Sequence, residues 1–355
     1  MNKKNLTRRQ FLTTASVGTV AAVTSGGIGI YGNTSKKAAK LAIHGGQPIR
    51  SKPFPAWPKT DEFIEKSLVS TFRGGKWCRI DGGANMVATF EKKFAELMGT
   101  KRCLATGSGT QALHTSLHSV GVDAGDEVLV TPCTFIASVQ VIFLCNALPV
   151  FVDVDLETFQ IDPDKMEALI NENTKAVEPV HISGLPANMD KINAIAKKHN
   201  LNVVEDACHA PLAKYKGKKC GTLGDLGCFS FQSSKTLPCG EGGAVIGNDE
   251  ELMDKCFTFH NIGMPAKTKN SIMGPKYRMN EFEASVLIPQ LMIFEEQVDR
   301  RNENAKYLTS RLKEMPGIIP QKPYEGTTKG GYYLYGFRYK KEKFNNIPRN
   351  KFLKA

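Results

Sequence analysis

The lysine in the run Cys228–Asn248, CFSFQSSKTLPCGEGGAVIGN, stands among small, hydroxylic and apolar residues, between two β-type runs joined by a Gly-rich turn. An ammonium enclosed in this way loses hydration, which favours the neutral amine, a nucleophile toward aldehydes. Schiff-base chemistry is therefore open to Lys235, although most lysines are solvated surface charges. A second stretch, LATGSGTQA (104–112), sets glycines and hydroxyls where a strand passes into a helix. Backbone N–H groups at a helix N-terminus suit a phosphate; the same residues also read as a tight turn with Thr110 as N-cap. A third stretch, VVEDACH (203–209), puts carboxylates at the carboxyl end of an apolar strand, where open α/β sheets bind their ligands. There Asp206 can hold a ring nitrogen protonated and make the ring an electron sink, or it can simply cap the next segment. Phe135, after DEVLVTP, offers an aromatic face at another strand end, and is equally at home in a core.

The elements that must position these residues follow from the rhythm of the chain. From Lys101 onward short apolar strands alternate with helices. CLAT precedes a helix from Thr110, and DEVLVTP a helix through Ile142. LPVFVDV precedes Asp164–Ile170, KAVEPVHI precedes Met189–His199, and LNVVEDA follows. This alternation predicts an α/β fold with a mixed, mostly parallel sheet covered by helices on both faces. Ahead of it, residues 41–58 are rich in Gly and Pro and predict an irregular arm. Helices are predicted from about Asp61 and over Asn85–Met98, the second ended by Gly99.

Composition narrows the function classes. The 355 residues are 41% hydrophobic and 23% charged, as in a globular protein with a substantial core. The net charge of +12 belongs to the ends: residues 1–40 carry seven Lys or Arg and no acid, and residues 321–355 carry nine bases against two acids. Seven charges at each end leave −2 for the body, so no nucleic-acid partner is expected. The N-terminal Lys3-Lys4, then TRRQFL (7–12), then a mildly apolar run to Ile30 have the layout of a twin-arginine export signal over residues 1–32. The run is short and interrupted by Thr19, Thr24 and Ser25, so no stable membrane span is expected and export is. Nine cysteines show no C-x-x-C pair and no metal-ligand spacing, and they read as buried small hydrophobes with no metal expected. That usage sits awkwardly with an oxidising exterior, a conflict softened by a route that carries folded proteins.

A phosphate cradle, a carboxylate for a pyridine nitrogen, an aromatic face and a nucleophilic lysine are the groups that pyridoxal 5′-phosphate needs. The order GSGTQAL, TPCTF, FVDVD, PVHISGLPANMD, VVEDACHA, GCFSFQSSK, GEGGAV and KYRMNEFEAS closely resembles the DegT family of pyridoxal-phosphate-dependent sugar aminotransferases. PFPAWP and KGGYYLYGFRYK look most like its cyclitol-aminating branch, which includes scyllo-inosose aminotransferases. The resemblance implies fold type I of these enzymes, with a large cofactor-binding domain over 41–290. Residues 291–355 would be the start of a small, truncated C-terminal domain, in which a strand Tyr332–Tyr339 lacks later partners. It implies that Lys235 carries the cofactor as an aldimine and that Asp206 pairs with the pyridine nitrogen. Ser108, Gly109 and Ser230 would hold the phosphate, Phe135 would stack on the ring, His209 would lie near its phenolic oxygen, and Glu241 would line the pocket. Lys276, Tyr277 and Arg278 would serve the neighbouring subunit's site in a homodimer, with Lys276 standing where the family commonly has Asn. The implied reaction moves an amino group from glutamate or glutamine to a keto sugar or keto-cyclitol with ping-pong kinetics. Two alternatives stay open: an exported, non-catalytic binding protein on the same scaffold, and a sugar dehydratase, whose branch places His where Lys235 stands.

Overall fold

A computed structural model of the chain describes residues 45–48, 50–82, 85–266 and 271–353. The twin-arginine segment lies outside the described residues, as does the start of the Gly/Pro-rich arm. Contacts divide the chain into a main unit, Trp57–Arg338, and a second made of the two ends, up to Ala56 and from Tyr339.

In the main unit local chemistry sets many boundaries. Asp61 accepts the amides of Phe63 and Ile64 at 3.0 Å and starts helix α1 (Glu62–Gly74), which ends on left-handed Gly75. Helix α2 (Met86–Met98) ends on Gly99, also left-handed. Strands β1 (Arg102–Thr106), β2 (Glu127–Val130), β3 (Leu148–Phe151), β4 (Thr174–Glu178) and β5 (Asn202–Asp206) follow, with helices α3 (Gly109–Ser119), α4 (Ile136–Leu144) and α5 (Met189–Lys198) between them. Strands β6 (Leu226–Ser230) and β7 (Gly243–Gly247) and helices α6 (Glu250–His260) and α7 (Glu281–Leu312) complete the unit's framework. The capping box of α7, Asn280 with Glu283, begins a helix of 32 residues. The expected domain boundary at residue 290 falls inside this helix.

The seven strands form one sheet in the order β1-β7-β6-β5-β4-β2-β3. The pairs from β6 to β3 are parallel, and β7 runs antiparallel to both its neighbours. The sheet is thus mixed and mostly parallel, with helices on both faces, as the alternation predicted. Side chains of β6 and β7 alternate between two cores. Phe229, Ala244 and Ile246 pack toward Phe90, Phe94, Leu287 and Phe294 of α2 and α7. Cys228 and Val245 pack toward Leu113 and Leu117 of α3 and Met253 and Cys256 of α6.

Two predicted elements differ. Asp164–Ile170 forms two short 3₁₀ turns, Pro163–Lys165 and Glu167–Leu169, because Met166 alone gives the stretch a buried apolar anchor. The expected strand Tyr332–Tyr339 is confined to Phe337–Tyr339. Just before it the chain turns at Gly330-Gly331, and at its first residue, Tyr332 (φ 45°), it docks on residues 183–184, where the Gly331 amide donates to the Gly184 carbonyl at 2.7 Å. In the second unit Arg50 lies over Phe54, and Tyr339, Phe344 and Phe352 pack in one aromatic cluster.

Phe94 has three ring neighbours, Phe90, Phe229 and Phe231, with centroids 5.2 to 5.5 Å away, and is fully buried. Phe94→Ala should cost about 3–5 kcal/mol of unfolding free energy, measured by urea denaturation, because the cavity opens under the strand that leads to Lys235. A loss under about 1 kcal/mol would show that this core repacks and does not hold β6 in place.

Candidate active site

The carboxyl ends of β1, β5 and β6 and the N-terminal ends of α3 and α4 converge on one cleft. Ser108 is the N-cap of α3, and its hydroxyl accepts the Gln111 amide at 3.2 Å. The amides of Gly109 and Thr110 then have no intrahelical acceptor, and they face the cleft with the helix dipole behind them. Only glycine fits at 109: a Cβ there would stand 2.6 Å from Ser230 Cβ. The N-cap thus falls on Ser108 and not Thr110, and the same turn leaves free helix amides of the kind that suit an anion.

Asp206 ends β5, is 5% exposed and has two donors. The Ser138 hydroxyl of α4 donates at 2.8 Å and the Cys208 amide at 3.1 Å. Thr134 in turn is hydrogen-bonded to Ser138 at 2.8 Å. Sequence reasoning missed Ser138; the Thr134/Ser138 spacing of four residues near a helix start was the only signal. His209 follows on the same turn, buried, with Nδ1 unpartnered. Burial, then the nearby Lys235 ammonium, push its pKa down to about 4 against the pull of Asp206, so its ring is neutral at neutral pH.

Lys235 sits in the loop joining β6 to β7. The Lys235 amide donates to Gln232, and the Trp57 indole donates to the Lys235 carbonyl at 3.2 Å. Its amine lies 4.5 Å from the ring centre of Tyr333, a residue not singled out from sequence although it lies in the quoted KGGYYLYGFRYK. Phe135 lines the same cleft and is 65% exposed, with its ring free to face a ligand. Ser108, Gly109, Phe135, Asp206, His209, Ser230, Lys235 and Glu241 are therefore brought together. Lys276, Tyr277 and Arg278 are not among them. They run along their own chain, where the Tyr277 hydroxyl meets His114 Nδ1 at 3.0 Å and Arg278 bridges to Thr106. Two surface hollows of about 450–460 Å³ elsewhere are larger than this cleft, so chemistry and not volume marks the site.

A fully buried shell lies beneath. Glu205 accepts the amides of Gly221, Leu223 and Gly224 at 2.6–2.7 Å and pairs with His181 Nε2 at 2.8 Å. The Ala187 amide donates to His181 Nδ1, so the proton of this ring is on Nε2. Glu178, at the end of β4, differs: both its oxygens are buried without a partner. Burial, then the charge of Asp206, raise its pKa well above the ordinary range, and it is the neutral acid of the group.

This donor set fits a phosphorylated pyridine aldehyde: helix N-terminal amides for the phosphate, Asp206 for the ring nitrogen, an unpartnered His209 Nδ1 and a lysine amine in reach of the same cleft. Fold and site together define a pyridoxal-phosphate-dependent enzyme of the aminotransferase type. Residues 58–355 match the DegT/DnrJ/EryC1/StrS aminotransferase family, and the chain belongs to it. The chain is 36% identical over 313 residues to the L-glutamine:2-deoxy-scyllo-inosose aminotransferase of Streptomyces paromomycinus, a match covering 84% of this chain and 74% of that protein. The crystal structure of a 3-amino-5-hydroxybenzoic acid synthase is similar at 37% identity and TM-score 0.78, covering 81% of this chain and 76% of that one. A Bacillus subtilis structure with bound cofactor PMP is similar at 27% identity and TM-score 0.71, covering 80% and 65%. Among the described residues no three His, Cys, Asp or Glu side chains converge as a metal site, and no helix is long and apolar enough to cross a membrane.

Glu178 gives a pH test. Its folded pKa is raised from 4.5, so the folded chain holds this proton more tightly than the unfolded one. The stability it supports is complete at low pH and is lost as pH climbs toward the folded value. Glu178→Gln should therefore gain on the parent protein as pH rises from about 5 to 8, by up to about 1.4 kcal/mol per pH unit. Urea-unfolding free energies that run parallel across this range would sink the assignment.

Proposed function

We propose that the protein transfers the amino group of glutamine or glutamate to a keto-cyclitol or keto sugar, with Lys235 as the residue that carries pyridoxal phosphate. The observation that carries this reading is the convergence of the Lys235 amine, the Asp206 carboxylate and the α3 N-terminus on one cleft. The similarity to an L-glutamine:2-deoxy-scyllo-inosose aminotransferase supports the donor and the cyclitol. When bound, the cofactor supplies a pyridine ring that withdraws electrons from the carbon losing its proton. The chain supplies the rest. Gly109 and Thr110 amides with Ser108 and Ser230 hydroxyls would hold the cofactor's phosphate, and Asp206, which Ser138 and Cys208 orient, would keep its ring nitrogen protonated. Neutral His209 and Phe135 line the same cleft and would flank such a ring without adding charge. Lys235 Nζ, when not covalently engaged, would take up the proton from the amino-bearing carbon of the substrate and hand it on across the nitrogen, an acid–base role worth about 10²- to 10⁴-fold.

The purified protein should take up pyridoxal phosphate with an absorbance band that borohydride abolishes, and the reduced cofactor should map to the Lys235 peptide. Lys235→Ala should lack the band and lose at least about 10²-fold in glutamine-dependent amination of scyllo-inosose-type ketones. Attachment at another side chain, or a band that glutamine leaves unchanged, overturns the proposal.

Export and dimerisation complete the reading. The TRRQFL motif supports passage through the twin-arginine route in folded form. Ile136, Phe143 and Leu144 of α4 and Leu148 and Phe151 of β3 are each more than half exposed, an apolar surface of the kind a second copy covers. In such a homodimer Lys276, Tyr277 and Arg278 would approach the partner's cleft. Cell fractionation of the parent and of an Arg8→Lys/Arg9→Lys variant, followed by light scattering, should find an exported dimer only for the parent. Equal export, or a monomer, counts against the respective part.

A further inference from the structure

The segment Gly330–Leu334 is tied down independently of any ligand. The Gly330 amide donates to Asn302 Oδ1 at 2.9 Å, the Asn302 amide donates back to the Gly330 carbonyl at 2.7 Å, and the Leu334 amide reaches the Ser183 carbonyl at 3.2 Å. Gly184 (φ +92°) admits this approach, since a Cβ there would lie 2.6 Å from the Tyr332 nitrogen. The backbone therefore presents the Tyr333 ring to the cleft. Three contacts orient it: the His209 ring, 4.4 Å between centroids; the Ser234 hydroxyl, 2.8 Å from the phenol oxygen; and the Lys235 amine, 4.5 Å from the ring centre. Ser234 in turn donates to Gln232 Oε1 at 2.7 Å, so a directed chain of donors fixes the phenol.

Among the described residues no carboxylate pairs with the Lys235 amine, and His209 beside it is neutral. The partner left to the ammonium is the electron-rich face of Tyr333. We infer that Tyr333 is a positioning residue whose ring face holds the Lys235 ammonium whenever that amine is not covalently engaged. The inference rests on Lys235 being the attachment residue. A protonated lysine released into the cleft otherwise has open solvent and several rotamers available. The aromatic face keeps Nζ at the edge of the site, from which it can hand its proton back.

The test uses cofactor-free protein and trace acetylation by acetic anhydride at neutral pH, with Lys235 read by mass spectrometry against the other lysines as internal standards. Removing the face in Tyr333→Leu should speed Lys235 acetylation about 3- to 30-fold, the range a cation–π contact spans. Tyr333→Phe, which keeps the face and loses the hydroxyl, should stay within about 2-fold. In the loaded enzyme Tyr333→Leu should lower kcat with KM for glutamine little changed. Unchanged labelling in a folded Leu variant overturns the inference, as does a Phe variant that behaves like Leu. If Leu does not fold, Tyr333→Gln carries the same two outcomes. Cofactor mapping away from Lys235 would remove the functional reading, while the labelling rates still decide whether Tyr333 holds this amine.

Discussion

The site depends on three backbone segments lying closer together than any side chain would allow. The Ser108–Gly109 turn, the end of β6 at Ser230 and the start of β7 at Gly243 meet where a Cβ on Gly109 would be 2.6 Å from Ser230 Cβ and one on Gly243 would be 2.3 Å from the Ser108 carbonyl. Glycine at these positions lets α3 point its free amides into the cleft beside the strand that leads to Lys235. In the same region β7 lies between β1 and β6 and runs antiparallel to both, the one reversed strand of the sheet.

Below that junction the interior holds three carboxyl groups on neighbouring strand ends, and they are treated differently. Glu205 accepts three amides and a histidine, a set that compensates a buried charge. Asp206 has a hydroxyl and an amide and keeps its place at the cleft. Glu178 has no partner and stays neutral. Burying an unpaired charge costs more than holding a proton, so the acid without donors yields and the one facing the cleft remains available to a ring nitrogen.

Much of this was legible in the residues. The alternation of short apolar strands with helices is a local, periodic signal, and Asp61 and Gly99 mark helix ends by chemistry that acts within a few residues. Elements without such signals were misjudged. Asp164–Ile170 has polar helix formers but one buried anchor, and Tyr332–Tyr339 has strand-forming aromatics whose fate is set by a distant docking surface at residues 183–184. Ser138 and Trp57 escaped notice for the same reason: their partners, Asp206 and Lys235, are 68 and 178 residues away.

The sequence by itself determined which chemistry the chain can do: a lysine in apolar and hydroxylic company, an acid at a strand end and a Gly-rich helix start are properties of residue type and short spacing. Only the tertiary structure decided which of those groups meet, which of two adjacent acids faces the cleft, and that a tyrosine almost a hundred residues after the lysine lies over its amine. Such choices arise from sheet order and loop docking, and those depend on contacts between segments whose separation along the chain carries no signal of their approach.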